Sequence, residues 1–401
     1  MPEAVIVAAT RTPIGRAMKG SLVDVRPDDM SALVIRSVLE KLPSLDPATV
    51  EDVLWGCGEP AGEAGYNIAR VSAVLAGLAE VPGATVNRYC SSSLQTIRMA
   101  AHAIKASEGD VFVAGGVEAV SRYVSGFSDG GPHNPLFADA EARTAKRTPA
   151  VTDPWTPLDG LPDIYIAMGQ TAENVAEKEN VSREEMDEYA CLSQNRAVES
   201  QENGFFEREI TPVPLADGKV MTKDDGPRPN TTTEVLATLK PAFREGGKVT
   251  AGNSCPLNDG AAAVVVMSDT RARELGITPL ARIVASAVTA LDPEVMGLGP
   301  ISASRKVLER AGMTMADIDL VEINEAFAAQ IIPSATALDL PWEKLNAHGG
   351  AIALGHPFGQ TGARIMTTLL NGLKTDDKTF GLETMCVGGG QGMAMIVERL
   401  S

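Results

Sequence analysis

Apolar positions along the chain fall into two alternating spacings. Residues 4–9 form a compact Val/Ile/Ala run of the kind carried by a strand buried on both faces. In residues 28–42, Met30, Leu33, Val34, Val38 and Leu42 recur at helical spacing, with an aspartate at the start and Pro43 beyond the end. The two patterns then repeat, so strands are expected at 50–56, 84–87 and 110–115, and helices at 67–78 and 94–105. Strand and helix in alternation predict a layered α/β architecture.

After residue 280 the same order returns, with strands expected at 280–288, 319–323 and 379–386 and helices at 301–312, 327–338 and 362–374. The helices over 98–105 and 364–374 occupy matching places, because each leads into a strand that ends in glycines. A repeated order predicts duplication, with two similar halves about a pseudo-two-fold axis. The expected halves are residues 1–120 with 250–270, and residues 271–401. Between them, residues 121–249 break the alternation with the turn-rich stretches SDGGPHNP, TPAVTDPWTPLDGLPD and DDGPRPN and one clear helix at 183–203. A structureless loop of that length does not fit inside a compact domain, so this region reads as an inserted, loop-rich subdomain. The continuous apolar run 260–267 then returns to the core as a buried strand.

Composition narrows the function classes. The chain has 401 residues, enough for two or three domains, and its 44% hydrophobic and 22% charged residues are those of an ordinary folded protein. A net charge of −17 with only 4% aromatic residues leaves little to neutralise phosphates or stack bases, which argues against nucleic acid as a partner. The longest uncharged apolar stretch, 261–267, is far shorter than the ~20 residues of a membrane span. The sequence opens with no charged-then-apolar leader and closes with no retention or peroxisomal signal, so a cytoplasmic protein without membrane partners is expected. Five cysteines without paired spacing predict neither a disulfide framework nor a zinc site.

Four places can carry chemistry. Cys90, in NRYCSSSLQ, stands between a short strand and a strong helix, where free N–H groups and the helix dipole favour a thiolate. A buried cysteine acting as a small hydrophobe is the competing explanation, and three adjacent serines weigh against it. His356, in GGAIALGHPFGQTG, lies among glycines that allow close approach of a ligand, where an imidazole can serve as base or donor. A histidine satisfied within a turn explains it equally well. Cys386 ends a strand and precedes Gly388-Gly389-Gly390, whose N–H groups can face a developing negative charge, or which can simply make a tight turn. Asn324 ends the strand over 319–323, where capping the next helix is the common use of an asparagine.

Taken together, these segments resemble the thiolase family over essentially the whole chain. VIVAATRTPIGRAMKG is similar to the family's opening, NRYCSSSLQ to its nucleophile segment and AGGVEAVS to the strand end that follows. NEAF, GGAIALGHPFGQTG and CVGGGQG resemble its three C-terminal active-site segments. The resemblance implies a five-layer α-β-α-β-α fold of two duplicated halves with an inserted loop domain, assembled as a homodimer or homotetramer. It also implies coenzyme A thioester chemistry on 3-ketoacyl-CoA and acetyl-CoA, with coenzyme A as co-substrate and no metal or permanently bound cofactor.

Motif by motif, the resemblance makes Cys90 the acylated cysteine and His356 the residue that activates it and helps bind the thioester oxygen. Cys386 becomes the second cysteine, which moves protons, and Asn324 the holder of a water in one oxyanion hole. The N–H groups of Cys90 and Gly388 form the other hole. For the cofactor it implies contacts from Met168, Phe243, Ala251, Ser254, Cys255 and Phe327, with Arg228 at the phosphate end. Arg228 lies between two prolines, in a 219–248 segment whose six basic residues outnumber its four acidic ones.

The chain departs from the family in four places. Ser93 stands where glycine is usual, and Ala167-Met168-Gly169 lacks the histidine of many acetoacetyl-specific members. Cys255-Pro256 replaces a serine with glycine or glutamine near the pantetheine, and His348 replaces a frequent asparagine. A ketoacyl-synthase-type condensing enzyme would need a second histidine at Asn324, and a non-catalytic acyl-CoA- or lipid-binding relative would be expected to lose Cys90 or Cys386. Hydroxymethylglutaryl synthase would want a catalytic glutamate in the first half, and a cysteine hydrolase a different nucleophile motif.

Overall fold

The computed structural model describes residues 2–147, 155–157 and 159–401. Its centre is one continuous sheet. From one edge the order is Leu320–Ile323, Phe380–Val387, Gln391–Arg399, Ala281–Ala290, Ala4–Arg11, Asn258–Ser268, Val111–Ala119, Asp52–Gly56 and Gly83–Val86. Only two residue pairs, Val5 with Arg282 and Ile6 with Ala281, join its two parts.

Outward from that seam the parts repeat each other. Ala4–Arg11 pairs antiparallel with Asn258–Ser268, which pairs antiparallel with Val111–Ala119, which pairs parallel with Asp52–Gly56. Ala281–Ala290 pairs antiparallel with Gln391–Arg399, which pairs antiparallel with Phe380–Val387, which pairs parallel with Leu320–Ile323. Gly83–Val86 adds a fifth strand to the first part, parallel to Asp52–Gly56, and a single parallel bridge from Val321 to Leu345 stands in its place in the second.

Side-chain alternation turns this sheet into layers. In the first part Val5, Val7, Ala263 and Val265 face outward against helices Pro27–Glu40 and Ile68–Leu75, while Ile6, Val264 and Val266 face inward. In the second part Val321, Leu382 and Ile396 face helices Gly299–Ala311 and Ala328–Ala337, while Met385, Met393 and Met395 face inward. Both inner faces close on the same two helices, Ser92–Lys105 and Thr361–Thr375, through Leu94, Ile97, Ile365, Met366 and Leu369. The result is the five-layer α-β-α-β-α arrangement. A Cβ on Gly362 would collide with the backbone of Leu94, so glycine there lets the two central helices approach.

The inserted region carries more regular structure than its turn-rich sequence predicts. Besides Arg183–Glu202 it holds helices Ala138–Arg147, Met168–Lys178 and Thr233–Ala237. Met168–Lys178 escaped the hydrophobic pattern because it buries polar residues. Glu173 accepts the Lys248 and Val249 N–H groups, and Gln170 and Asn174 hold the Arg244 guanidinium. The segment is also tied to the first strand, where fully buried Arg11 pairs with Asp224 at 2.8 Å and Glu209 at 3.1 Å. The turns expected over 148–154 and at Leu158 lie outside the described residues. Among the described residues no helix is long and apolar enough to cross a membrane.

Candidate active site

The segment that carries Cys90 follows the strand Gly83–Val86 as one tight turn, Tyr89–Ser91, which runs directly into helix Ser92–Lys105. Tyr89 has φ of +42°, a left-handed conformation that a bulky side chain adopts only under constraint. The constraint is local hydrogen bonding. The Tyr89 N–H donates to Asn87, and the Arg88 N–H donates to the Ser92 hydroxyl, which donates onward to the Tyr89 carbonyl. Arg88 then reaches Gln391 at 2.7 Å and so ties this turn to the glycines after Cys386.

Cys90 is buried yet lines an open cleft of about 560 Å³, with Tyr89, Met168, Phe358, Gly388 and Gly389. Burial pushes its thiol up to about 11, against the opposing pull of the Gly388 N–H and its own N–H. The helix start therefore does not by itself deliver the thiolate expected from the sequence. Desolvation outweighs the N–H groups, and Cys90 rests as a thiol that needs a base.

His356 is almost wholly buried. Its Nδ1 lies 2.6 Å from the Thr361 hydroxyl, which donates its own proton to the Pro357 carbonyl at 2.8 Å. Thr361 can therefore only accept from the ring, which puts the proton on Nδ1 and leaves Nε2 as the acceptor. Burial, helped by Arg364, pushes the imidazole down to about 3, so it is neutral. Asn324 Nδ2 donates to Nε2 at 3.3 Å, and the buried Asn324 Oδ1 has no partner among the described residues. Asn258 fixes the His356 backbone N–H at 3.0 Å. Phe358 packs edge-on against the imidazole at 5.1 Å and also lines the Cys90 cleft.

Cys386 ends the strand Phe380–Val387 with its side chain fully buried, and burial holds its thiol far above the ordinary range. Cys90 and Cys255 are close enough to raise it further. Three of the five cysteines thus share one neighbourhood, while Cys57 sits by Glu118 and Cys191 donates to the Thr231 carbonyl.

The residues expected at the cofactor divide into two groups. Phe327 meets Phe243 edge-to-face at 6.0 Å, and the Phe243 ring fills the space beside Gly169, next to Met168. Ser254 bridges to Phe327 in strand fashion, and the Cys255 N–H donates to the Ala326 carbonyl, so this segment and NEAF form one unit. The Ser254 hydroxyl donates to the Thr250 carbonyl, and Ala251 is exposed on the same turn. Arg228 stands apart from the cleft. Its loop is held by Asp225, which accepts from the Arg16 and Ser21 N–H groups, while its guanidinium is exposed with Arg16 as its nearest charged influence. Half of the six basic residues in 219–248 are occupied: Arg244 pairs with Glu177, Lys219 with Asp217, and Lys248 donates to the Val181 carbonyl.

Two departures find partners. The Ser93 hydroxyl accepts the Ala363 N–H at 2.9 Å and so caps the opposite central helix. His348 stacks on Phe205 at 3.7 Å, with Asp376 3.5 Å from Nε2, and is not among the residues lining the Cys90 cleft. Arg88, Thr361, Asn258 and Gln391 were missed from the sequence. Arg88, Thr361 and Gln391 stand inside the quoted motifs and Asn258 outside them, and only the fold shows which neighbour does the holding. Among the described residues no group of three or more His, Cys, Asp or Glu is placed to hold a metal ion.

Comparison with known proteins agrees along the full length. The thiolase N-terminal domain profile matches residues 4–270 and the thiolase C-terminal domain profile residues 277–399. A beta-ketoadipyl-CoA thiolase of Acinetobacter baylyi is 44% identical over 412 residues, covering 100% of both chains. A 3-ketoacyl-CoA thiolase of Salmonella typhimurium is 45% identical over 409 residues, again covering 100% of both. The crystal structure of an acetyl-CoA acetyltransferase from Bacillus anthracis superposes with a TM-score of 0.85 at 39% identity, covering 100% of this chain and 99% of that one. The duplicated layers, the motifs they bring together and these end-to-end matches have one common explanation: this chain belongs to the thiolase family and is an acyltransferase.

Proposed function

We propose that this thiolase splits 3-ketoacyl-CoA with coenzyme A by passing the shortened acyl group through Cys90. The observation that carries the reading is a buried thiol that lines an open cleft while receiving the Gly388 N–H. His356 Nε2 takes the Cys90 proton, and the sulfur attacks the ketone carbon of the substrate. The oxygen that becomes negative is met by the Cys90 and Gly388 N–H groups. The bond between the α and β carbons then breaks, acetyl-CoA leaves as its enolate, and Cys386 protonates the enolate carbon. The enolate oxygen is held by His356 and by a water on Asn324. In the second half Cys386 takes the proton of an incoming coenzyme A thiol, which attacks the Cys90 thioester and releases the shortened acyl-CoA.

Coenzyme A enters past Met168, Phe243, Ala251, Ser254, Cys255 and Phe327, with Arg228 at its phosphate end. The exposed Arg228 guanidinium, on a loop pinned by Asp224 and Asp225, supports that orientation. The far side of the cleft holds Glu59 and Asp129, with His133 and Tyr165. Two carboxyl groups there disfavour an acyl chain that itself ends in a carboxylate, so among the relatives' substrates a plain 3-ketoacyl chain suits this protein better than 3-ketoadipyl-CoA. A plain 3-ketoacyl substrate supports a role in fatty-acid β-oxidation, which we propose takes place in the cytoplasm. Exposed Tyr66, Val124 and Phe127, on adjoining turns, support a homodimer or homotetramer. The test is thiolysis of a graded series of 3-ketoacyl-CoAs and of 3-ketoadipyl-CoA, followed by loss of enolate absorbance. Turnover of the plain chains with little of the dicarboxylate is expected, and the reverse order would overturn the substrate reading.

A further inference from the structure

The segment that carries His356 is pinned at both ends by buried carboxylates on other parts of the chain. On its leading side, Glu325 accepts the Ile352 N–H at 2.9 Å, together with the Tyr189 and Ser193 hydroxyls at 2.7 Å each and the Asn346 amide at 2.9 Å. On its trailing side, Glu118 accepts the Gly359 N–H at 2.8 Å. Glu118 is 1% exposed and collects four further donors: the Gly58 N–H at 2.7 Å, the Glu59 N–H at 3.2 Å, the Tyr123 hydroxyl at 3.0 Å and the Cys57 thiol at 3.7 Å. Glu118 therefore joins its own strand end to the chain after Asp52–Gly56 and to the His356 turn. The backbones touch there as well, since a Cβ on Gly116 would collide with the Gly359 carbonyl.

We propose that Glu118 is a positioning residue for His356: its ionised carboxylate fixes the Pro357–Gly359 turn and, through it, the imidazole. The proposal rests on the acyl-transfer reading above, in which His356 is the base for Cys90. An ionised carboxylate only accepts, and all five neighbours donate. The Gly58 and Gly359 N–H groups share Oε2, and backbone N–H groups can only donate, so a proton on that oxygen has no acceptor among them and the turn would lose an anchor.

Burial pushes Glu118 up to about 7, even with these hydrogen bonds pulling it down, so that protonation falls within the working range of pH. The groups that face it are Cys57 and Glu59 from the segment after Asp52–Gly56, Tyr123 from the following turn and Cys90 from the nucleophile turn. Arg122 shares a small cavity with it but is paired with Glu63 at 2.6 Å. Cys57 and Tyr123 are themselves pushed upward, and His356 lies at about 3 and Cys90 at about 11, which leaves the carboxyls. Burial pushes Glu59 upward too, but the Tyr123 hydroxyl donates to Glu118, so a change at Tyr123 tells the two apart.

The test is the pH profile of kcat for thiolysis in the intact enzyme, in the Glu118→Gln and Tyr123→Phe variants, with the KM for coenzyme A measured alongside. The unsubstituted enzyme should lose activity below pH about 7. Glu118→Gln should lower kcat by about tenfold to a hundredfold, remove that limb and leave KM within about twofold. Tyr123→Phe withdraws a hydrogen bond that favours the charged form, so it should move the limb upward by about half a pH unit without changing the plateau. It also keeps the test decisive if Glu118→Gln does not fold. An active enzyme whose limb stays in place in Tyr123→Phe overturns the role of Glu118. A protein inactive at every pH would instead contradict the acyl-transfer reading.

Discussion

The two central helices start at equivalent places in the two halves and are used differently. Ser92–Lys105 begins directly after the turn that holds Cys90, so the Cys90 thiol is fixed by the helix start itself. Thr361–Thr375 begins after a glycine-rich connection that puts His356 five residues ahead of the helix, and the imidazole is fixed by two side chains, that of Thr361 at the helix start and that of Asn324 from another strand end. Both groups are buried, and burial drives them in opposite directions: the thiol up to about 11 and the imidazole down to about 3. Each therefore rests neutral. In the proposed mechanism a proton then moves between two uncharged partners only when a developing oxyanion rewards the charge separation. What this contrast teaches is that duplication repeats the frame, while unequal loops set the two proposed catalytic groups differently.

The largest effect should come from removing the base. His356→Ala should lower kcat/KM for thiolysis by about 10²–10⁴-fold. In that variant the rate of Cys90 alkylation by iodoacetamide should keep rising with pH towards about 11, because the thiolate fraction then follows the buried thiol alone. A rate already flat at pH 8 would break the contrast. Next, Cys386→Ala should spare acylation of Cys90 but stop exchange of the acetyl α-protons with solvent, read by mass spectrometry in deuterated buffer. Exchange at the original rate would leave Cys386 a packing residue.

Smaller effects sharpen the picture. Arg228→Ala should raise the KM for coenzyme A several-fold to tenfold, about 1–1.4 kcal/mol, with kcat nearly unchanged and less effect on dephospho-coenzyme A. An unchanged KM at low salt would send the search for the phosphate contact to Lys223, because Arg244 is already paired with Glu177. Ser93→Ala removes the hydroxyl that caps the opposite helix at Ala363 and should cost about 1 kcal/mol of unfolding free energy. Full stability in urea would show that the two central helices do not depend on this cross-link.

What the sequence made legible follows its physics. The strands Ala4–Arg11 and Asn258–Ser268 were readable because both faces are buried and each contains an unbroken apolar run, residues 4–9 and 261–267. The helix Met168–Lys178 was not, because Gln170, Glu173 and Asn174 are buried by pairing with Arg244 and with backbone N–H groups some 70 residues later in the chain. The positive segment 219–248 was misleading for the same reason, since charge counting does not reveal that Arg244 and Lys248 are already engaged. Cys90, His356, Asn324 and Cys386 stood out as unusual residue types at strand–helix edges. Thr361, which sets the imidazole tautomer, and Glu118, which holds the following turn, looked like ordinary members of a helix start and a strand end.

The central claim is that the acyl group rests on Cys90, and it can be tested directly. The enzyme should be mixed with acetyl-CoA, quenched in acid, digested and its peptides weighed. An acetyl group is expected on the peptide that contains Cys90, and it should be lost when coenzyme A is added before the quench. Label confined to Cys57, Cys191 or Cys255, with none on Cys90, would contradict the account.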